Sequence, residues 1–253
     1  MRFLLIAIML LTTQMAKAEA VLDRIKARGE LRVGTTGDYK PFTFHNPDGS
    51  YVGADVDMAR KLAAKLGVKL VFVPTIWAQL NGDYEADKFD IAMGGVTNLP
   101  PRAAKGPFAE TVYVDGKRPV ARCADADRFI SIDAIDKPDV RVVVNPGASN
   151  EEFAHKNFPH AKLTVHPDNA TVFDEIVAGR QDVMVTDGIE VDHQSAIHHE
   201  LCPTRVPGPF THLEKAYWVR PDKDLLAVVN GFVADEIKSG DWKAILDRQL
   251  VAP

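Results

Sequence analysis

The feature that most constrains this chain is the run Asp182-Val-Met-Val-Thr-Asp-Gly-Ile-Glu190, a short apolar stretch that ends in Asp187, a glycine turn and Glu190. An apolar run of this length between turn signals reads as a strand buried in a sheet. In open α/β sheets ligands sit beyond the carboxyl ends of the strands, so both acids are expected to face a cleft. Two carboxylates at such a place serve either ligand recognition or acid chemistry.

The rest of the chain alternates strand and helix signals, the pattern of α/β layers. Residues 21–28 form a short amphipathic helix, and residues 31–36 a strand. Asn46-Pro-Asp-Gly49 turns between two extended pieces. Val56, Ala59, Leu62, Ala63 and Leu66 fall on one helical face that Gly67 ends. A strand at 69–73, a helix at 77–84, a strand at 89–93 and the tight turn Gly94-Gly95 follow. Past Gly116 the order of elements restarts, with strands at 119–123, 140–144, 163–165, 183–186 and 215–219. Helices are expected after Gly147, with Ser149 as cap and Glu152 three residues on, at 169–178, and twice within 224–250, with Trp242 on the apolar face. No sequence repeat accompanies the restart. Two α/β lobes joined by crossing strands, with a cleft between them, is the simplest arrangement: residues 19–117 with 216–253, and residues 118–215, hinged near 116–121 and 215–219.

The chain has 253 residues, 46% hydrophobic and 26% charged, an ordinary globular composition. Its net charge of -5 gives no reason to expect nucleic acid or an anionic membrane as partner. Residues 1–18 follow another logic: Arg2, then the apolar Phe3 to Leu11, then Ala16-Lys17-Ala18, the layout of a cleaved export signal. The segment is too short to span a bilayer, and it places the mature protein in the periplasm. Export permits a disulfide, and Cys123 and Cys202 are the only cysteines. A bridge would close a long loop; two buried free thiols are the alternative.

Several blocks carry a resemblance. Val33-Gly-Thr-Thr-Gly-Asp-Tyr-Lys-Pro-Phe-Thr-Phe44, Gly53-Ala-Asp-Val-Asp-Met-Ala59, Phe89-Asp-Ile-Ala-Met-Gly-Gly-Val-Thr97 and Asn145-Pro-Gly-Ala-Ser-Asn-Glu151 resemble the periplasmic amino-acid-binding proteins of ABC transporters, in order and spacing over essentially the whole mature chain. That resemblance implies the type II, two-lobed periplasmic binding protein fold. Gly37 to Phe42, Asp115-Gly-Lys117, Asn145-Pro-Gly147, Asn150-Glu151, His166-Pro-Asp-Asn169, Thr186 to Glu190 and Glu214-Lys-Ala-Tyr217 are similar to the cyclohexadienyl dehydratases, exported enzymes on the same fold. Both cysteines also fall where those enzymes have them. The enzyme family implies dehydration and decarboxylation of prephenate to phenylpyruvate and of arogenate to phenylalanine, with no metal or organic cofactor.

The resemblance also implies a site. Arg102 stands five residues after Thr97, where the binding proteins place an arginine that holds a ligand carboxylate, and bidentate guanidinium geometry suits that task. Pro100-Pro101 before it departs from the Pro-Glu common in the family. Thr97, Ser149, Asn150 and the N–H groups near Gly147 would complete the carboxylate cradle. Asp187 matches the aspartate that holds a ligand amino group; an Asx turn or helix cap is its structural alternative. Glu190 is the expected general acid, since a carboxyl closed into an apolar cleft is held neutral; an exposed first-turn glutamate is the alternative. Lys215 is expected to reach the cleft as an extra cation, or else to pair with Glu214. Asp38 joins the substrate-binding set, and Trp77 and Tyr39 offer walls for a six-membered ring, as do Phe42 and Phe44 unless they are core.

Other chemistries find little support. The histidines lack the spacing and acid partners of zinc sites. Gly34-Thr-Thr-Gly37 lacks the sequel of a nucleotide loop, and Ser195 lacks a nucleophile elbow. Two readings remain: an enzyme whose Glu190 protonates a leaving group, or a receptor that hands an amino acid or carboxylate to an ABC permease.

Overall fold

The computed structural model describes residues 20–147 and 149–252; the expected export signal at 1–18 lies outside them. The first part of the chain runs α1 (Val21–Arg28), β1 (Glu30–Thr35), β2 (Asp38–Tyr39), β3 (Thr43–His45), β4 (Tyr51–Val52), α2 (Ala54–Leu66), β5 (Lys69–Pro74), α3 (Leu80–Glu85), β6 (Ile91–Ala92), α4 (Pro100–Ala103) and β7 (Tyr113–Asp115). Then follow β8 (Lys117–Arg122), α5 (Ile132–Ile135), β9 (Arg141–Val144), α6 (Ser149–Asn157), β10 (Lys162–Val165), α7 (Val172–Val177), β11 (Val183–Asp187), α8 (Gly188–Ile197), β12 (Leu201–Pro203) and β13 (Leu213–Lys215). The chain closes with β14 (Trp218–Val219), α9 (Lys223–Ser239) and α10 (Asp241–Leu250).

Two mixed sheets organise these elements. The first has the order β14-β6-β1-β5, with β1 parallel to β5 and β6 and only β14 reversed. The second has the order β10-β9-β11-β8-β12, parallel through β10, β9 and β11 and antiparallel across β8. The chain leaves the first sheet through β7 and returns through β13, and these two crossing segments pair antiparallel.

Residue type explains the second sheet directly. Side chains of a strand alternate between its faces, so a strand apolar on both needs cover on both. Val142, Val144, Val183 and Val185 pack with Phe129, Ile135 and Phe158 on one side. Val143 and Met184 join Val120, Phe173, Ile176 and Leu201 on the other. Each such side chain contributes on the order of 1.5–3 kcal/mol relative to exposure. In the first part, α1, α2, α9 and α10 cover β1 and β6 through Ile25, Leu62, Val229 and Leu246. Trp242 is buried there and its Nε1–H donates to the Val112 carbonyl at 2.6 Å.

Several elements depart from the sequence reading. The strand expected at 215–219 is two strands, because Lys215 pairs with Tyr113 whereas Trp218 pairs with Ala92; the segment changes partners at Ala216-Tyr217. The helix expected from Trp77 begins at Leu80, since Ile76 first accepts turn bonds from Gln79 and Leu80. The helix expected from Asn169 begins at Val172, because Asp168 folds the segment into a turn by accepting from the Ala170 and Thr171 N–H groups. Pro100-Pro101 opens α4 rather than disturbing it, since proline fits the first helical positions.

Cys123 and Cys202 are disulfide-bonded. Pairing of β8 with β12 sets Ala121 opposite Cys202, so the bridge ties a strand end to its sheet neighbour. Among the described residues, no helix is long and apolar enough to cross a membrane.

Candidate functional site

The end of β11 delivers Thr186 and Asp187, and the first turn of α8 delivers Glu190, all buried. Asp187 does not cap α8 through its side chain. That task falls to Asp115, whose carboxylate accepts from the N–H groups of Gly188 at 3.0 Å and Ile189 at 3.2 Å. Asp187 is thereby free for the cleft, where Oδ1 accepts from Lys117 Nζ at 2.7 Å. Its Oδ2 accepts from Lys215 Nζ at 2.5 Å and from the Tyr39 hydroxyl at 2.6 Å. Burial alone would raise its pKa, but Lys117 and Lys215 outweigh burial and hold the carboxyl well below the usual carboxylate range.

Both oxygens of Asp187 are thus engaged by the protein's own cations and phenol. Lys215 Nζ also donates to Thr97 Oγ1 at 2.9 Å and lies 5.2 Å from the centre of the Tyr39 ring. The alternative pairing of Lys215 with Glu214 is not seen; Glu214 accepts from the Thr111 hydroxyl instead.

Glu190 is only 3% exposed, which removes the exposed-helix alternative. Burial pushes its pKa up to about 8, opposed by the Thr186 hydroxyl and reinforced by the neighbouring Asp187 charge. The direction of its hydrogen bonding follows from its neighbours. Lys117 Nζ, which can only donate, bonds to Asn150 Oδ1, and this turns the Asn150 amide nitrogen toward Asn145 Oδ1 at 2.9 Å and Thr186 Oγ1 at 3.0 Å. Thr186 therefore accepts from Asn150 and donates its own proton to Glu190 Oε2. With Oε2 committed as an acceptor, a proton on Glu190 sits on Oε1.

The cationic side of the cleft is Arg102, buried at the start of the 102–106 turn. Its Nη1 donates to the Thr97 carbonyl at 3.1 Å and its Nε to Asn81 Oδ1 at 3.2 Å, which aims the fork. Burial lowers its pKa to about 10, so it stays charged at neutral pH. Ser149 lines the pocket: its Oγ accepts from Lys117 Nζ at 3.0 Å, and the Glu151 carboxylate takes the Gly147 N–H at 2.5 Å. Gly147 has φ +72° and lies so close to Ala78 that a Cβ would stand 2.5 Å from the Ala78 Cα. Glycine there lets the Asn145-Pro-Gly147 turn approach the segment that carries Trp77.

Trp77 and Tyr39 wall the cavity, their rings edge to face at 5.8 Å. Asp38 does not line this cavity; it lies in an adjacent one, where it accepts from Trp77 Nε1 at 3.0 Å and so orients the indole. Phe42 is core, and Phe44 lies under Lys40 outside the cavity. Thr97, Arg102, Ser149, Asn150, Asp187 and Glu190 all line the cavity. It holds about 320 Å³ of space between atoms. Among the described residues no three His, Cys, Asp or Glu side chains are grouped to hold a metal ion.

Sequence reasoning passed over Lys117, Asn145, Thr186 and Asn169 as site residues. Lys117 had a signal: it is the first residue of β8, on the inward face that also carries Pro119 and Ala121, and a lysine among buried strand positions needs a partner. Starting that strand at Pro119 hid it.

Comparison with known proteins matches this architecture. Residues 31–251 match the model of the bacterial extracellular solute-binding proteins, family 3. The chain belongs to that family. Among family-3 relatives, cyclohexadienyl dehydratase of Pseudomonas aeruginosa is 44% identical over 232 residues, covering 92% of this chain and 87% of that protein. An ancestral amino acid-binding protein described as a precursor of cyclohexadienyl dehydratase shares 35% identity with a TM-score of 0.84, covering 92% of this chain and 100% of its own. An ancestral cyclohexadienyl dehydratase shares 46% identity with a TM-score of 0.58, covering 93% and 98%.

Proposed function

We propose that this family-3 protein is a periplasmic cyclohexadienyl dehydratase, converting prephenate to phenylpyruvate and arogenate to phenylalanine. The observation that carries the proposal is Glu190: a buried carboxyl with its pKa pushed up to about 8, in a cavity it shares with Arg102. Dehydration needs such an acid, because the ring hydroxyl leaves only as water. The 44% identity to a cyclohexadienyl dehydratase supports the same reading.

In this reading Arg102, with Thr97, Ser149 and the main-chain N–H of Asn150, holds the side-arm carboxylate, and Tyr39 and Trp77 together form an apolar wall against the ring. Asp187 acts through Lys215 and Lys117: it fixes both ammonium groups, and Lys215 positions the side arm. Glu190 Oε1 gives its proton to the departing hydroxyl as the ring C–O bond breaks. The bond to the ring carboxylate breaks at the same time, its electron pair completes the aromatic ring, and carbon dioxide and water leave. The resulting Glu190 carboxylate is stabilised by Lys117 through Asn150 and Thr186, and is reprotonated when the cleft opens. Closure over the substrate excludes water and keeps the acid neutral until its proton is transferred. The lobes, residues 19–117 with 216–253 and residues 118–215, would part about β7 and β13 to admit substrate. Residues 1–18 would direct export and be cleaved.

The other reading is a non-catalytic binding subunit serving an ABC permease. Its support is the 35% identity to an ancestral amino acid-binding protein. Against it stands Asp187, engaged by two lysines where a ligand ammonium would need it. Incubating the purified protein with prephenate at pH 7 and following phenylpyruvate decides between them. Turnover is expected; no turnover together with tight binding of an ordinary amino acid overturns the dehydratase.

A further inference from the structure

One buried acceptor of the cavity is left unused. Asn169, between β10 and α7, is 8% exposed, and its Nδ2–H donates across the cleft to the main-chain carbonyl of Asp38 at 2.9 Å. A carbonyl only accepts, so this bond fixes which end of the amide is nitrogen. The nitrogen bonds Asp38, and Oδ1 is buried with no partner among the described residues. Asn169 borders two cavities: an outer one shared with Asp38 and the central one shared with Trp77 and Glu190. With the nitrogen committed to Asp38, the oxygen is the end of this amide left to meet a ligand in the central cavity that Asn169 lines.

Several other acceptors around the central cavity are already engaged. Both oxygens of Asp187 receive lysine protons, Asn150 Oδ1 receives one from Lys117, and Asn145 Oδ1 receives one from Asn150. A buried acceptor without a donor is destabilising, and a bound ligand that donates to it removes the penalty. Asn169 Oδ1 therefore selects for a hydrogen-bond donor on the ligand.

We propose that Asn169 reads the leaving hydroxyl of the substrate, accepting its hydrogen bond and so turning an oxygen lone pair toward Glu190. This rests on the dehydratase reading. A cyclohexadienyl 2-oxo acid carries two carboxylates, an oxo group and one ring hydroxyl, and only the hydroxyl donates. With its hydrogen on Asn169, its lone pairs are presented to the acid. When the C–O bond breaks and Glu190 has given its proton, the departing water has two hydrogens for two acceptors, Asn169 Oδ1 and the newly formed Glu190 carboxylate. Asn169 thus touches the reacting oxygen before and after the step.

The test is Asn169→Leu, nearly isosteric and without an acceptor, assayed for kcat/KM with prephenate and for the affinities of phenylpyruvate and L-phenylalanine, neither of which has a ring hydroxyl. We expect kcat/KM to fall by about tenfold or more, the equivalent of one lost hydrogen bond, while phenylpyruvate affinity stays within about twofold of the unsubstituted protein. Equal losses on both ligands would reduce Asn169 to a structural link with Asp38, and no loss on either would leave it no role; both outcomes overturn the proposal. A loss confined to L-phenylalanine would assign the acceptor to a ligand ammonium and overturn it as well. Should the variant fail to fold, the unsubstituted protein decides: ring-hydrogenated prephenate, which keeps the hydroxyl but cannot aromatise, should bind about tenfold more tightly than its deoxy counterpart, and equal affinities refute the proposal. Absence of any turnover by the unsubstituted protein sinks the dehydratase reading itself, a result distinguishable from all of these.

Discussion

Replacing Glu190 by glutamine should change how stability depends on pH in a way that isolates this one group. The Glu190 pKa rises from 4.5 to about 8 on folding, chiefly by burial. Between those values the native protein keeps a proton that the unfolded chain has released, so stability falls as pH rises through that window and levels off above it. At 1.36 kcal/mol per pH unit the whole effect has a ceiling of about 5 kcal/mol. Asp187 does not interfere: its pKa is depressed, so its contribution is complete above the unfolded value and is lost only toward acid. Asp55, raised to about 6, titrates within the window, and His193, lowered by burial, adds a pH dependence of its own, but neither group is changed by the substitution. Glutamine keeps the shape and an oxygen that can accept from Thr186, and it does not titrate. Urea denaturation of both proteins at steps from pH 5 to pH 9, followed by tryptophan fluorescence, should show the difference in unfolding free energy moving in favour of Glu190→Gln by at least about 2 kcal/mol. Parallel pH curves would refute the claim that folding holds this carboxyl neutral.

Other consequences follow from the same contacts. Asp187→Asn leaves Lys117 and Lys215 buried without their shared counter-charge and should destabilise by about 3–5 kcal/mol, read from the urea midpoint. Arg102→Lys keeps the charge but loses the two-pronged fork, so KM for prephenate should rise about tenfold or more with a smaller change in kcat. Reducing the Cys123–Cys202 bridge, whose cysteines are 79 residues apart, should cost about 4 kcal/mol in the chain-entropy account, seen as a lower urea midpoint with dithiothreitol.

Much of this molecule is legible in its residues, and the illegible part has physical causes. The valine-rich runs at 142–144 and 183–185 announce strands covered on both faces, and the acids after the second run do face a cleft. Arg102, Thr97, Ser149, Asn150, Trp77, Tyr39, Asp187 and Glu190 converge there, drawn from segments far apart in sequence. What local pattern does not carry is partnership. Nothing near Asp187 shows that its charge is met by Lys117 and Lys215, which arrive on the two crossing segments of the chain. Nothing in Ala216-Tyr217 shows a strand trading one sheet for another, since both halves have ordinary strand composition. Nothing near Ser149 shows that its hydroxyl meets the ammonium of Lys117.

The central claim, that a neutral Glu190 does acid chemistry in this cleft, meets its most direct test in the pH dependence of kcat/KM for prephenate, measured for the unsubstituted protein and for Glu190→Gln. We predict phenylpyruvate formation that is constant below about pH 8 and declines above it as the carboxyl ionises, and a glutamine variant that folds, still binds phenylpyruvate and has lost most of the rate. An unchanged rate in that variant, or no turnover by the unsubstituted protein at any pH, would contradict it.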